Sequence, residues 1–286
     1  MNPGRAITVF SHARPQDTAD ALRELVRLAG EQGITVRLDE DETLKHAAIA
    51  GLPGVEADAE IATDVDIAIA LGGDGTILRA LRSYAHTSVP VFGVNFGEVG
   101  FLATVERDEA PVGFAHALAG DFETLTLPAI EVDAGVGTPA INDVAIHRRA
   151  GERVAELAYA IGGQEVGRVR CDGLVVATPA GSTGYNLANG GPVLAWGVEG
   201  YVVSFIAPHS LTARALVVAP DDLLTVHNRS VSAVDISIDG RPCGEVAPDE
   251  TVTVGFMREA ADLALLPGST FYRRLRDTFG RLSSSQ

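Results

Sequence analysis

The apolar run Ile67-Ala68-Ile69-Ala70-Leu71 ends abruptly in Gly72-Gly73-Asp74-Gly75, and a helical pattern begins at Thr76. That order reads as a buried strand delivering an acidic residue to a turn at a helix N-terminus. Glycines let backbone N–H groups approach a phosphate with no Cβ in the way, and the helix start adds partial positive charge. A carboxylate in the middle of such a loop repels the anion that the loop attracts. Asp74 therefore has two readings: a group that handles a proton or a metal ion beside the phosphate, or a helix cap, where Asp is favoured.

Basic residues limit how a phosphate is held. Of 22 Lys and Arg, only Lys45 is a lysine, and no G-x-x-x-x-G-K-[ST] segment is present, which excludes the P-loop mode. Lys45 follows the acidic stretch Asp39-Glu40-Asp41-Glu42 and is expected to be exposed, a poor phosphate clamp. Backbone amides, arginines and a metal ion are left to do that work.

The net charge is −16 over 286 residues, of which 46% are hydrophobic. This is a folded protein large enough for two domains. Its acidity disfavours nucleic acid and anionic membranes as partners, because their phosphates are repelled. Acidic excess with almost no lysine fits a salt-rich cytoplasm, where screening removes self-repulsion. The alternative is an acidic mesophilic protein whose GC-rich codons favour Arg over Lys. No apolar run approaches a membrane span and no N-terminal signal pattern is seen, so a cytoplasmic location is expected. Cys171 and Cys243 make neither a disulfide framework nor a metal site.

The first third alternates strand and helix: a strand at Ala6 to Phe10, a helix from Asp17 to Ala29 stopped by Gly30, and a strand at Ile34 to Leu38. A polar Gly/Pro-containing loop leads to the strand ending at Leu71, then a helix from Thr76 to Tyr84 and a strand at Val89 to Val94. This alternation predicts a parallel sheet covered on both faces, with ligands beyond the carboxyl ends of the strands, where Gly72 to Gly75 fall. After Leu125, short Val/Ile/Thr-rich runs punctuated by Gly, Pro and Asp read as a mostly β domain, a sandwich or similar. Phe271 to Phe279 regains a helical pattern and is expected to pack back on the first domain; the final residues, Leu282 to Gln286, are expected to be disordered. The expected domains are 1–125 with 262–286 returning to it, an α/β nucleotide-binding domain, and 126–261, an all-β domain.

Three polar clusters stand out in the β half: Ile141-Asn142-Asp143-Val144, Arg170-Cys171-Asp172-Gly173, and Thr178-Pro179-Ala180-Gly181-Ser182-Thr183-Gly184-Tyr185-Asn186. The last offers N–H and O–H donors and an aromatic face for a sugar or base. Each cluster alone also reads as a turn, since Asn-Asp and Asp-Gly are ordinary turn dipeptides.

Taken in order, the Gly72–Thr76 segment, the G-V-N-F-G-E-V-G-F-L run from Gly93 to Leu102, and these three clusters resemble the NAD kinase family across most of the chain. Ile206-Ala207-Pro208-His209-Ser210-Leu211-Thr212-Ala213-Arg214 and Ile238-Asp239-Gly240-Arg241 extend the resemblance. The Gly-Gly-Asp-Gly loop is shared with lipid kinases of the diacylglycerol kinase type and, more loosely, with phosphofructokinases; the Thr178–Tyr185 segment singles out NAD kinases.

The resemblance implies phosphoryl transfer from ATP, or polyphosphate, to the 2′-hydroxyl of the adenosine ribose of NAD, with Asp74 as general base. Gly72, Gly73, Gly75 and Thr76 would hold phosphates through their backbone, and Mg²⁺ or another divalent cation would neutralise the triphosphate. Asn142 and Asp143 match a pair that contacts the dinucleotide. Asp172 matches an acidic residue at the nicotinamide end, often supplied by a neighbouring subunit. Thr183, Gly184 and Tyr185 match residues near adenine and ribose, and Phe101 and Leu102 a stretch lining the adenine pocket. Arg79, Arg153 and Arg170 align with basic or polar positions near the ligand; Asn186, Ala188 and Ala207 fall in the matched motifs and count with the binding positions. A homodimer or homotetramer is implied. Two positions depart from the family: Ala188 stands where a Ser is usual, which bears on the preference for NAD over NADH, and Ala215 where a Pro is usual. The alternatives are a lipid kinase on the same loop, and a non-catalytic sensor of the NAD/NADP ratio, which has no use for a base at Asp74.

Overall fold

A computed structural model of the protein describes residues 5–97, 100–133, 137 and 139–283, the last three by backbone alone. The chain divides into two compact units, Met1–Thr126 with Ala261–Gln286, and Leu127–Ala260.

In the first unit three of the apolar runs predicted as strands are buried on both faces, and the one at Ile34 to Leu38 on one face only. The strands are β1 (Ala6–Ser11), β2 (Thr35–Arg37), β3 (Val55–Glu56), β4 (Ile67–Gly72), β5 (Val91–Asn95) and β6 (Val105–Glu106). They pair in parallel in the order β3-β2-β1-β4-β5, with β6 beside the end of β5. The helices are α1 (Ala19–Glu31), α2 (Glu40–Lys45), α3 (Ala47–Ala50), α4 (Asp74–Ser83) and α5 (Ala110–Ala119). α1 buries Leu22, Leu25, Val26 and Ala29, the stripe expected from its spacing. It does not stop at Gly30. Gly33, at φ 67°, turns the chain, because a left-handed residue is what ends a helix.

The segment read as a polar loop contains α2 and α3. Asp39 caps α2 by accepting the N–H of Glu42 at 2.8 Å, so the acidic run is a helix start favoured by the macrodipole. Lys45 is half-buried rather than exposed, bonded to Glu42.

The second unit begins in the long strand β7 (Glu123–Val132) and continues with β8 (Asp143–Arg148), β9 (Ala155–Ile161), β10 (Gln164–Cys171) and β11 (Gly173–Ala177). After the single turn α6 (Tyr185–Ala188) come β12 (Tyr201–Ile206), β13 (Leu216–Val218), β14 (Leu224–Asn228), β15 (Val234–Ile238) and β16 (Arg241–Val246). One antiparallel sheet runs β13-β12-β11-β8-β15-β16; the other strands of the unit run β10-β9-β14 and the first part of β17 (Thr251–Leu265), with β7 paired to β17. Val144, Ile146, Val176 and Phe205 from one sheet and Leu157, Tyr159, Val226 and Val254 from the other form a single core, the expected sandwich.

Within the first unit, Leu263 of β17 lies opposite Val91 of β5, and the chain ends in α7 (Phe271–Ser283). The expected disorder of Leu282 to Gln286 meets helical backbone at 282–283, and 284–286 lie outside the described residues.

Candidate functional site

Asp74 is not the cap of α4. Gly73, in extended conformation, takes the N-cap position and Asp74 the first helical one. The carboxylate serves no helical N–H of α4; Oδ2 accepts the N–H of Phe101 at 2.9 Å and Oδ1 that of Leu102 at 3.1 Å. Burial pushes its pKa up, and the two amides and the nearby charge of Arg274 only partly offset this. The glycines permit the close approach of the two segments. A Cβ on Gly97 would lie 3.1 Å from the Gly73 Cα, and one on Gly100 would lie 3.2 Å from Asp74 Oδ1.

The other loop residues divide by role. Gly72 is covered by Thr76, whose Oγ1 would sit 2.2 Å from a Cβ there, and its carbonyl accepts the Phe96 N–H. Gly75 is exposed. Like any first-turn residues, Asp74 and Gly75 have amides without acceptors inside their own helix, the donors an anion needs. Phe101 is buried, edge-on to Phe279 at 5.9 Å between centroids. A cleft of about 590 Å³ is lined by Asn95, Gly100, Glu106, Arg273, Arg274 and Asp277.

Arg79, expected near the ligand, is held inside its own unit. Its Nη2 donates to Ser11 O at 3.0 Å and to Glu42 Oε1 at 2.6 Å, and the guanidinium lies over the Phe10 ring. Glu42 is fully buried. Burial alone would raise its pKa, but the Ser11 hydroxyl and amide and Lys45 hold it below the ordinary range. The motif match placed Arg79 by position; the buried carboxylate, non-local in sequence, explains where the side chain goes.

In the second unit, the Thr178–Tyr185 turn lies against Asn142 and Asp143. Thr178 donates its hydroxyl to Ile141 O at 2.6 Å and its N–H to Asn142 O. A Cβ on Gly181 would lie 1.9 Å from Asn142 O, so only glycine permits this approach. Asp239, at φ 45°, accepts the N–H groups of Ile141, Asn142 and Asp143. Asp143 is buried, and burial followed by the charge of Asp239 pushes its pKa up to about 7. Asn142 Oδ1 is buried with no hydrogen-bond partner among the described residues. A carboxyl group and an amide oxygen side by side, both deprived of water, suit a ligand that brings hydroxyl or amino donors.

Asn186, expected among the binding positions, is fully buried; its Nδ2 donates to Ser182 O and Pro192 O, while its Oδ1, like that of Asn142, has no hydrogen-bond partner among the described residues. Thr183 gives its hydroxyl to Ala180 O. Tyr185 is 43% exposed and, with Asp143, Arg148, Asp172 and Ser237, lines a cleft of about 560 Å³. Asp172 bonds Arg148 Nε at 2.6 Å, and this partner holds its carboxyl below the usual range. Arg153, Arg170, Ala188 and Ala207 are exposed. Ala207 is also left-handed at φ 43°, where the chain turns so that His209 N–H reaches Arg170 O.

Glu42, Arg148, Asp239 and Arg274 were not read as functional from sequence. Only Asp239 carried a signal, the Asp-Gly dipeptide of a matched motif; the other three act through partners distant along the chain.

Family models for the ATP-NAD kinase N-terminal domain and the ATP-NAD kinase C-terminal domain match residues 12–122 and 141–265. The chain is 39% identical over 220 residues to the NAD kinase of Symbiobacterium thermophilum, covering 74% of this chain and 78% of that one. It is 31% identical over 282 residues to the NAD kinase of Nitrosomonas europaea, covering 96% and 95%. Among solved structures it resembles an NAD kinase from Archaeoglobus fulgidus in complex with ATP, with TM-score 0.73, 27% identity and coverage of 99% and 100%. It also resembles yeast NADH kinase complexed with NADH, with TM-score 0.86 and coverage of 100% and 90%; at 22% identity that likeness is one of fold.

Proposed function

The chain belongs to the ATP-NAD kinase family, and on that premise we propose that it transfers the γ-phosphoryl group of ATP to the 2′-hydroxyl of the adenosine ribose of NAD, giving NADP. The observation that carries the mechanism is the orientation of Asp74. A carboxylate that capped its helix would be spent on it; this one is braced from outside by Phe101 and Leu102 and has its pKa raised by burial. A base whose pKa is lifted towards working pH accepts a proton more readily, and Asp74 takes the ribose proton as the oxygen attacks the phosphorus. The backbone of Gly73 and Gly75 receives phosphate oxygens at the start of α4, with Gly72 and Thr76 shaping the turn.

Asn142 binds the dinucleotide through a side-chain oxygen that lacks a donor among the described residues, and Asp143 through its buried carboxyl, with Thr183, Gly184 and Tyr185 beside adenine and ribose. Phe101 borders the adenine, Asp172 the nicotinamide end, and Arg153, Arg170, Asn186, Ala188 and Ala207 stand around them as positions carried over from the family, whereas Arg79 stays with Glu42. No group of three His, Cys, Asp or Glu side chains converges among the described residues. The divalent cation, Mg²⁺ by its affinity for phosphate oxygens, enters as part of the ATP substrate complex. A homodimer or homotetramer in the cytoplasm completes the proposal. No helix among the described residues is long and apolar enough to cross a membrane.

Incubation with ATP, Mg²⁺ and NAD tests the reading: NADP should appear, and 2′-deoxy-NAD should give no product. A parallel arm with polyphosphate identifies the donor. Binding of NAD without turnover would mark a sensor, and phosphorylation of diacylglycerol a lipid kinase.

A further inference from the structure

Phe101 is gripped on both sides of its peptide. Its N–H goes to Asp74, and its carbonyl accepts Nη1 of Arg274 from α7 at 2.8 Å. The same Nη1 also bonds the carbonyl of Ala103, and Phe279, one turn further along α7, packs on the Phe101 ring. The segment 101–103 is therefore a strap between the carboxylate and the last helix. Arg274 lies close enough to Asp74 for the two charges to interact.

We propose that Arg274 is a positioning residue for Asp74: through the Phe101 and Ala103 carbonyls it fixes the strap that holds the carboxylate. One guanidinium nitrogen, Nη1, serves both carbonyls, and the planar delocalised group holds its N–H directions fixed. The charged groups around it are Asp74, on the other side of the strap, and Glu106, which is itself bonded to Asn95 Nδ2; Glu109, Arg273 and Asp277 face the same cleft. Burial lowers the pKa of Arg274, and Asp74 and Glu106 oppose that fall, so the arginine and the carboxylate favour each other's charged forms. The inference rests on Asp74 being the base.

The test uses Arg274→Met, which removes charge and donors at similar length, and Arg274→Lys, which keeps the charge and loses the fixed planar donor geometry. kcat/KM for ATP is followed against pH at saturating NAD, so that Asp143 is occupied by its ligand. In Arg274→Met the acidic limb should move up, the direction in which losing an opposite charge takes a carboxylate, and kcat should fall. In Arg274→Lys the limb should stay while kcat falls severalfold. If Arg274→Met does not fold, Arg274→Gln supplies the uncharged arm. The ¹³C carboxyl titration of Asp74, assigned by its loss in Asp74→Asn, reads the same shift without turnover. It thereby separates this inference from the kinase reading, which alone falls if the parent protein makes no NADP. An unmoved limb and an unmoved Asp74 titration in a folded uncharged variant would overturn the role of Arg274.

Discussion

Asp239 accepts the backbone N–H of Asn142 at 2.8 Å, and the same carboxylate takes the N–H groups of Asp143 at 3.1 Å and Ile141 at 3.2 Å. Its own N–H returns to Asp143 O at 2.9 Å. One side chain thus satisfies three donors where β8 begins, and it places a negative charge beside the buried Asp143 carboxyl.

Asp239→Ala should therefore destabilise the fold by about 3 kcal/mol, since hydrogen bonds to a charged group carry ~1.5–3 kcal/mol and the donors left behind are partly buried. Urea unfolding measures it. A loss below about 0.5 kcal/mol, the size of an ordinary surface change, would mean water replaces Asp239 freely.

Asp143 makes stability depend on pH in an unusual direction. Its folded pKa of about 7 lies above the ordinary value of 3.8, so the folded state holds the proton more tightly than the unfolded chain. The stabilisation is full below pH 4 and is lost as pH rises towards 7. Asp143→Asn abolishes the ionisation, and it should favour the folded state more at pH 8 than at pH 5. A difference between variant and parent that is equal at both pH values would show that Asp143 ionises freely.

Glu42 works with the opposite sign. Its pKa is lowered, so its contribution is present above the ordinary Glu range and lost as pH falls through the folded value. Removing it strands Arg79 and Lys45, and Glu42→Ala should cost about 3 kcal/mol at pH 7, the low end for breaking a buried ion pair. Glu42→Gln should cost less at pH 3.5 than at pH 7. Equal costs at the two pH values would contradict the assignment.

The parts that were legible in the chain are those encoded locally. β1, β4 and β5 are apolar on both faces and bounded by polar or glycine residues, so they read as strands directly. α5 showed no stripe because it is apolar nearly all round, burying Ala110, Gly113, Phe114, Ala117 and Leu118. β10 and β16 carry no apolar run because they are edge strands with Gln164, Glu165, Arg168, Arg241 and Pro242, and an edge tolerates charge and proline. At the site, Asp74, Asn142 and Asp143 declared themselves by motif. Phe101 and Asp239 lie in matched motifs, but their bracing roles, and the hold of Arg274 on Phe101, join segments up to 173 residues apart, which no local pattern reveals.

The charge of −16 gives a prediction independent of the chemistry. Self-repulsion reaches across ~30 Å at 0.01 M salt and only ~3 Å at 1 M. Screening also eases the approach of ATP and NAD, which are anions. Melting temperature and NAD kinase turnover should both rise as KCl goes from millimolar to molar. Flat or falling values would assign the acidity to codon bias instead of a salt-rich cytoplasm.

The central claim, that Asp74 is the base, is tested most directly by kcat in Asp74→Asn. The amide oxygen can still accept one of the N–H groups from Phe101 and Leu102, so melting temperature and NAD affinity should stay near those of the parent. With no carboxylate to take the ribose proton, kcat should fall by ~10²–10⁴, the range for a positioned general base. A folded Asp74→Asn protein turning over within about threefold of the parent, far short of that range, would contradict the account.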